Sequence, residues 1–108
     1  MSFDAMAAAI DWLDAYRAGD LETILGMYAE DAVIVCGCGG TKTVAGQESR
    51  RAYWVDRLIK YPASRLDNLQ QSGDGALISY VVRESAISAV LRFNAASQIS
   101  AHTCGPSN

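Results

Sequence analysis

The stretch from Tyr28 to Gly40, YAEDAVIVCGCGG, constrains the fold more than any other part of the chain. Before it, apolar residues recur at three- and four-residue steps. Within it, the β-branched run Val33-Ile34-Val35 replaces the helical period with an extended one. An acidic turn, Glu30-Asp31, precedes that run, and Gly37, Gly39 and Gly40 after it permit a bend or hairpin. The chain returns to a helical pattern once, and from Ser64 onward it reads as strand. Such a chain has to lay its helices on a sheet to bury either.

Residues 3 to 18 are expected to form an amphipathic helix. Its buried stripe is Phe3, Met6, Ile10, Leu13 and Tyr16, with Trp12 beside it and Asp4, Asp11, Asp14 and Arg17 largely off it. Gly19 closes this helix, and Asp20 caps a second, shorter one through Leu21, Ile24, Leu25 and Tyr28. The first strand is expected over about Ala32 to Cys36, with Thr41 to Val44 returning as a short second strand. Gly46 opens a third helix with Trp54, Leu58 and Tyr61 on one stripe and Val55 and Ile59 beside it, and Pro62 stops it. Strands are then expected near 64–71, 76–83, 87–93 and 98–104, with Gly73-Asp74-Gly75 as a strong turn signal.

At 108 residues the chain is expected to be a single domain spanning 1–108. Its formal net charge of -3 disfavours nucleic acid and anionic membrane as partners, since both select concentrated basic surfaces. The one dense basic patch, Arg50-Arg51 with Arg57 and Lys60, is interleaved with Glu48 and Asp56 and reads as the solvated face of a helix. No stretch approaches the roughly 20 apolar residues that span a bilayer. The start of the chain lacks a basic n-region, and three cysteines make an unsuitable disulfide framework, so a cytoplasmic location is expected. Front-loaded helices followed by a meander give an α+β domain, and a strongly bent sheet around a long helix leaves a conical cavity, a default small-molecule site.

Three segments, AYRAGDLETILGMYAEDAVIV, VAGQESRRAYWVDRL and LRFNAASQISAH, resemble the nuclear transport factor 2-like superfamily in its SnoaL-like and ketosteroid isomerase-like branch. The resemblance rests on the Gly19-Asp20 junction, the Tyr28-to-Ala32 lead into the first strand, Gly46 and the Arg92-Phe93-Asn94 strand end, and it covers nearly the whole chain. It implies a cone-shaped, cystatin-like fold, a strongly bent mixed β-sheet wrapped around N-terminal helices. It also implies a small, mainly apolar cavity, and a homodimer through the exposed face of the sheet. The isomerase chemistry does not carry over. The oxyanion-hole tyrosine falls at Trp12, the general-base aspartate at Cys36 and the assisting aspartate near Ala89. That mechanism requires a carboxylate base and donors aimed at the oxyanion, and these positions supply neither.

The resemblance sets the first and last strands side by side and parallel, which gathers Cys36, Cys38, His102 and Cys104 at one end of the cavity. Three readings of that cluster stand. The cysteines are small apolar wall residues and His102 has a local partner; or three thiolates and an imidazole hold a zinc ion, at a spacing unlike familiar zinc modules; or a Cys–His pair, or a labile disulfide, is reactive. The expected function is a small-molecule-pocket protein for an apolar organic ligand. Any chemistry would be cofactor-independent proton transfer of isomerase, dehydratase or cyclase type, with His102 and Cys36 as the catalytic residues, His102 the acid–base group and Cys36 its neighbour or a nucleophile. No metal or other cofactor is expected. Trp12, Tyr16, Tyr28, Cys38, Trp54 and Cys104 are the expected ligand-contacting residues. The rival reading is a non-catalytic binding or dimerisation module whose cavity is filled by its own side chains.

Overall fold

The structure, a computed structural model, describes residues 3–37 and 42–106. Its elements run in the order α1 (Ala5–Ala18), α2 (Leu21–Gly26), β1 (Tyr28–Cys36), β2 (Lys42–Ala45), α3 (Gln47–Lys60), β3 (Ala63–Ser72), β4 (Gly75–Val82), β5 (Ser85–Phe93) and β6 (Ile99–Pro106). The six strands form one sheet ordered β2-β1-β6-β5-β4-β3. Strands β1 and β6 run parallel and all other neighbours antiparallel. The mixed sheet curls into an open cone with the helices on its inner side, the α+β architecture that the sequence implies.

The joints follow from local chemistry. Asp4 caps α1 by accepting from the Met6 and Ala7 amides at 3.0 and 3.2 Å, and Gly19 ends it at φ 69°. Asp20 caps α2 through the Thr23 amide. Strand β1 begins at Tyr28, four residues before the expected start, because Tyr28 already pairs with Ile99 of β6 and the Ile99 amide donates to Met27 O at 2.9 Å. The β3–β4 turn falls at Gly73-Asp74 as expected, and a tight turn at Arg83-Glu84 joins β4 to β5, with Val82 opposite Ser85.

Both long helices present a different face to the sheet from the one expected. In α1 the buried stripe is Ala9, Trp12, Leu13 and Tyr16, while Phe3 and Ile10 are 45% and 38% exposed. The face rotates by one position because burying Trp12 and Tyr16 removes more apolar area, and both find acceptors for their polar tips. In α3 the buried residues are Arg50, Tyr53, Trp54 and Arg57, whereas Val55 and Ile59 face outward. Two arginines of the basic patch therefore belong to the core rather than to a solvated face. Arg50 Nη1 donates to Ala32 O at 3.2 Å and its guanidinium lies 5.7 Å from the Tyr28 ring centroid, which ties α3 to β1.

Candidate functional site: an aromatic interior and an arginine at its mouth

Inside the cone, Trp12, Tyr16, Trp54 and Tyr80 are at most 1% exposed and meet edge to face. The centroids of Trp12 lie 5.7, 5.9 and 5.6 Å from those of Tyr16, Trp54 and Tyr80. Strand β6 adds His102, whose ring lies 5.3 Å from Trp12, and β1 adds Tyr28. These side chains form a hydrogen-bonded chain. Trp12 Nε1 donates to Tyr28 Oη at 3.2 Å, and Tyr28 Oη lies 2.8 Å from His102 Nδ1. An indole N–H can only donate, so the Tyr28 hydroxyl accepts from Trp12 and is free to donate to His102 Nδ1. The direction of the Tyr28–His102 bond follows the imidazole tautomer, and the other ring nitrogen, Nε2, is buried without a hydrogen-bond partner among the described residues, as is Trp54 Nε1. Burial, helped by the positive charge of Arg57, pulls His102 down to about 3 and keeps the ring neutral. The Tyr28 hydroxyl is pushed above its ordinary range by burial.

The expected Cys–His grouping takes shape only in part. Strands β1 and β6 are parallel neighbours, with Ile34 opposite His102 and Cys36 opposite Cys104. Cys36 and Cys104 therefore sit side by side, two residues nearer the mouth than His102. Tyr53 Oη lies 3.8 Å from Cys104 Sγ, and burial pushes the Cys104 thiol up to about 12. One imidazole nitrogen is taken by Tyr28 and the other has no partner among the described residues, so neither is hydrogen-bonded to Cys36 or Cys104. Cys38 lies outside the described residues. Among those described, no three His, Cys, Asp or Glu side chains gather as a metal-holding group.

At the mouth, sequence reasoning missed the most unusual residue. Arg57 is 4% exposed, and its guanidinium carbon lies 5.9, 5.8 and 5.6 Å from the ring centroids of Tyr16, Tyr53 and Tyr61. Its one hydrogen bond among the described residues is long, from Nη2 to Tyr80 Oη at 3.4 Å, and its Nε has no partner. Neighbouring hydroxyls and a thiol favour its charged form against the cost of burial. Beside it opens a cavity of about 180 Å³, walled by Arg57, Tyr61, Val82, Arg83, Ser85 and Ile87. A usable signal was present: Arg50, Tyr53, Trp54 and Arg57 follow the i, i+3, i+4, i+7 spacing of a buried helical stripe. A larger groove of about 810 Å³ lies between α2, β1 and the start of α3. There Arg51 grips Glu22 through two bonds of 2.8 and 3.1 Å, and Arg50 is held by backbone carbonyls. Its cations are matched within the fold.

The model of the SnoaL-like domain family matches residues 9–102. No curated protein matches the chain in sequence. Among solved structures, the chain is similar to a SnoaL-like protein of unknown function from Burkholderia thailandensis, with a TM-score of 0.82 and 19% identity over 96% of this chain and 95% of that one. At that identity the likeness concerns the fold.

Proposed function

The chain belongs to the SnoaL-like domain family of the nuclear transport factor 2-like superfamily, and on that premise we propose that it binds a small organic ligand at the mouth of its cone, over Arg57. The interior serves as a structural core. The observation that carries this reading is the contrast between a sealed centre and an open rim. Trp12 and Trp54 are 0% exposed and His102 1%, whereas the rim keeps a cavity of about 180 Å³ with the apolar walls Tyr61, Val82 and Ile87. Proton transfer at His102 is disfavoured. A general base has to reach its substrate proton within hydrogen-bond distance, and this imidazole is enclosed by Trp12, Tyr28 and Trp54. The thiol reading weakens for a related reason, since Cys104 is held protonated. Of the expected ligand-contacting residues, Trp12, Tyr16, Tyr28 and Trp54 become core, and contact with ligand passes to residues around Arg57.

Amide-shift mapping with a panel of single-ring aromatic compounds tests this. Shifts are expected at Tyr61, Val82 and Ile87, and Ile87→Trp, which fills the cavity, is expected to abolish them. Shifts centred on Trp12 and His102 would restore the interior site, and a panel without binders would remove the ligand reading.

A homodimer through the outer face of the sheet is proposed alongside. Val33 and Val35 of β1, Leu77 and Val81 of β4 and Val90 of β5 lie there half-buried, a surface more apolar than solvent favours. Sedimentation of the parent as a dimer and of Val90→Arg as a monomer is the expected result. A monomeric parent at micromolar concentration contradicts it.

A further inference from the structure

We propose that the cavity at the mouth is a carboxylate-binding site, in which the Arg57 guanidinium takes the carboxylate of a small organic acid and the apolar walls take its body. The inference deepens the rim-binding reading and rests on it. Arg57 is nine-tenths or more buried, and no described Asp or Glu pairs with it. The ion pairs among the described residues are Arg51 with Glu22 and Lys60 with Asp56, both exposed. A guanidinium carries five N–H donors in a fixed fork. Among the described residues, one of them meets a hydroxyl at 3.4 Å and Nε meets no acceptor. The rings of Tyr16, Tyr53 and Tyr61 stabilise the charge through their faces. A buried cation without a counter-ion is among the costliest groups a fold can hold, and an anionic ligand removes that cost by supplying the missing acceptors.

A second cation points to the same occupant. Arg83 lines the cavity too, and its Nε and Nη2 both donate to Lys60 O, at 3.1 and 2.9 Å, with its guanidinium carbon 5.6 Å from the Tyr61 centroid. Nη1 is left without a partner among the described residues. Arg83 also holds φ 57° in a two-residue turn, where asparagine or glycine is the cheaper choice. Strain retained next to a cavity is a mark of function. No acidic residue lines the cavity, so the two guanidinium groups give it a positive potential beside low-dielectric walls.

Shape selects the class. The volume of about 180 Å³ is close to the ~150 Å³ of an apolar cavity that holds one benzene ring. Tyr61, Val82 and Ile87 suit an aromatic or short branched body. A planar monoanion matches the guanidinium fork in two parallel bonds. A phosphate dianion is more strongly hydrated, has no apolar body for these walls and calls for more donors than one buried fork provides.

Calorimetric titration of the full chain with benzoate, benzyl alcohol and inorganic phosphate tests the assignment. Benzoate is expected to bind roughly tenfold or more tightly than benzyl alcohol, which keeps the ring and loses the charge. Phosphate is expected to bind more weakly than benzoate. Arg57→Met is expected to lose benzoate by a similar factor while keeping a cooperative melting transition. Should that variant fail to fold, Arg83→Gln, at an exposed position, is expected to weaken benzoate severalfold while keeping a cooperative melting transition. Equal binding of benzoate and benzyl alcohol at Val82 and Ile87 overturns the carboxylate assignment and leaves rim binding intact. Phosphate binding as tight as benzoate overturns the carboxylate class, and an Arg57→Met variant that folds and binds benzoate like the parent overturns the role of Arg57. Failure of all three compounds to bind overturns both proposals.

Discussion

His102, the one histidine of the chain, connects a single side chain to the stability of the whole. Its folded value of about 3 lies below the ordinary 6.5, so between those limits the unfolded chain binds the additional proton. Stability from this group is complete above pH 6.5 and is lost as pH falls, by about 1.4 kcal/mol per pH unit. Denaturant titrations are therefore expected to show about 2 kcal/mol less stability at pH 5 than at pH 7. His102→Gln is expected to flatten that slope, and proton NMR of the imidazole should show no protonation above pH 4. A native ring that titrates near 6.5 contradicts the sealed interior. Cys104 offers a parallel test. With its thiol pushed up to about 12, the thiolate fraction near pH 7.5 is about one in 10⁴ or less, and iodoacetamide should label it at least about a hundredfold more slowly than an exposed thiol. Peptide mass spectrometry reads this directly, because trypsin separates Cys104 from Cys36 and Cys38.

At the scale of elements, two glycines make opposite predictions. A methyl group on Gly75 would lie 2.0 Å from Leu91 O of the neighbouring strand β5, so Gly75→Ala has to push against backbone. A loss of about 2 kcal/mol or more is expected in thermal or urea unfolding. Gly26 ends α2 with open space around it, and Gly26→Ala is expected to be neutral or to stabilise by about 0.5–1 kcal/mol. The elements themselves were largely legible in the sequence. The Gly19-Asp20 junction, the valine-rich strand and the Gly73 turn each carry a local signal that the structure follows. Which face of each helix turns inward was less legible, because counting Ile10 or Val55 as apolar and Arg57 as polar ignores what a side chain can meet. Trp12 and Tyr16 outweigh Ile10 through their area and their hydrogen bonds. Arg50 and Arg57 turn inward because carbonyls and tyrosine rings receive them. The candidate site was hidden for the same reason. It depends on a cation whose partners come from α1, α3 and β4, and on an arginine in a turn, and neither produces a motif.

At the scale of the molecule, the sheet is completed by segments from opposite ends of the sequence. Strand β1 lies between β2 and β6, and its β6 partner is the last strand of the described chain. Until β6 arrives, the Val33-Ile34-Val35 edge has hydrogen-bonding groups free on one side, and the tryptophan interior lacks the wall that His102 provides. Closure of the cone is therefore expected to come late in folding. A chain with such sequence-distant pairing is expected to refold in about milliseconds to seconds rather than microseconds. In pulsed hydrogen exchange the β3–β4 hairpin amides should gain protection before those of β1. The same delay leaves a sticky strand uncovered on every ribosome that makes the protein, so its yield in a cell depends on how quickly the final strand is delivered.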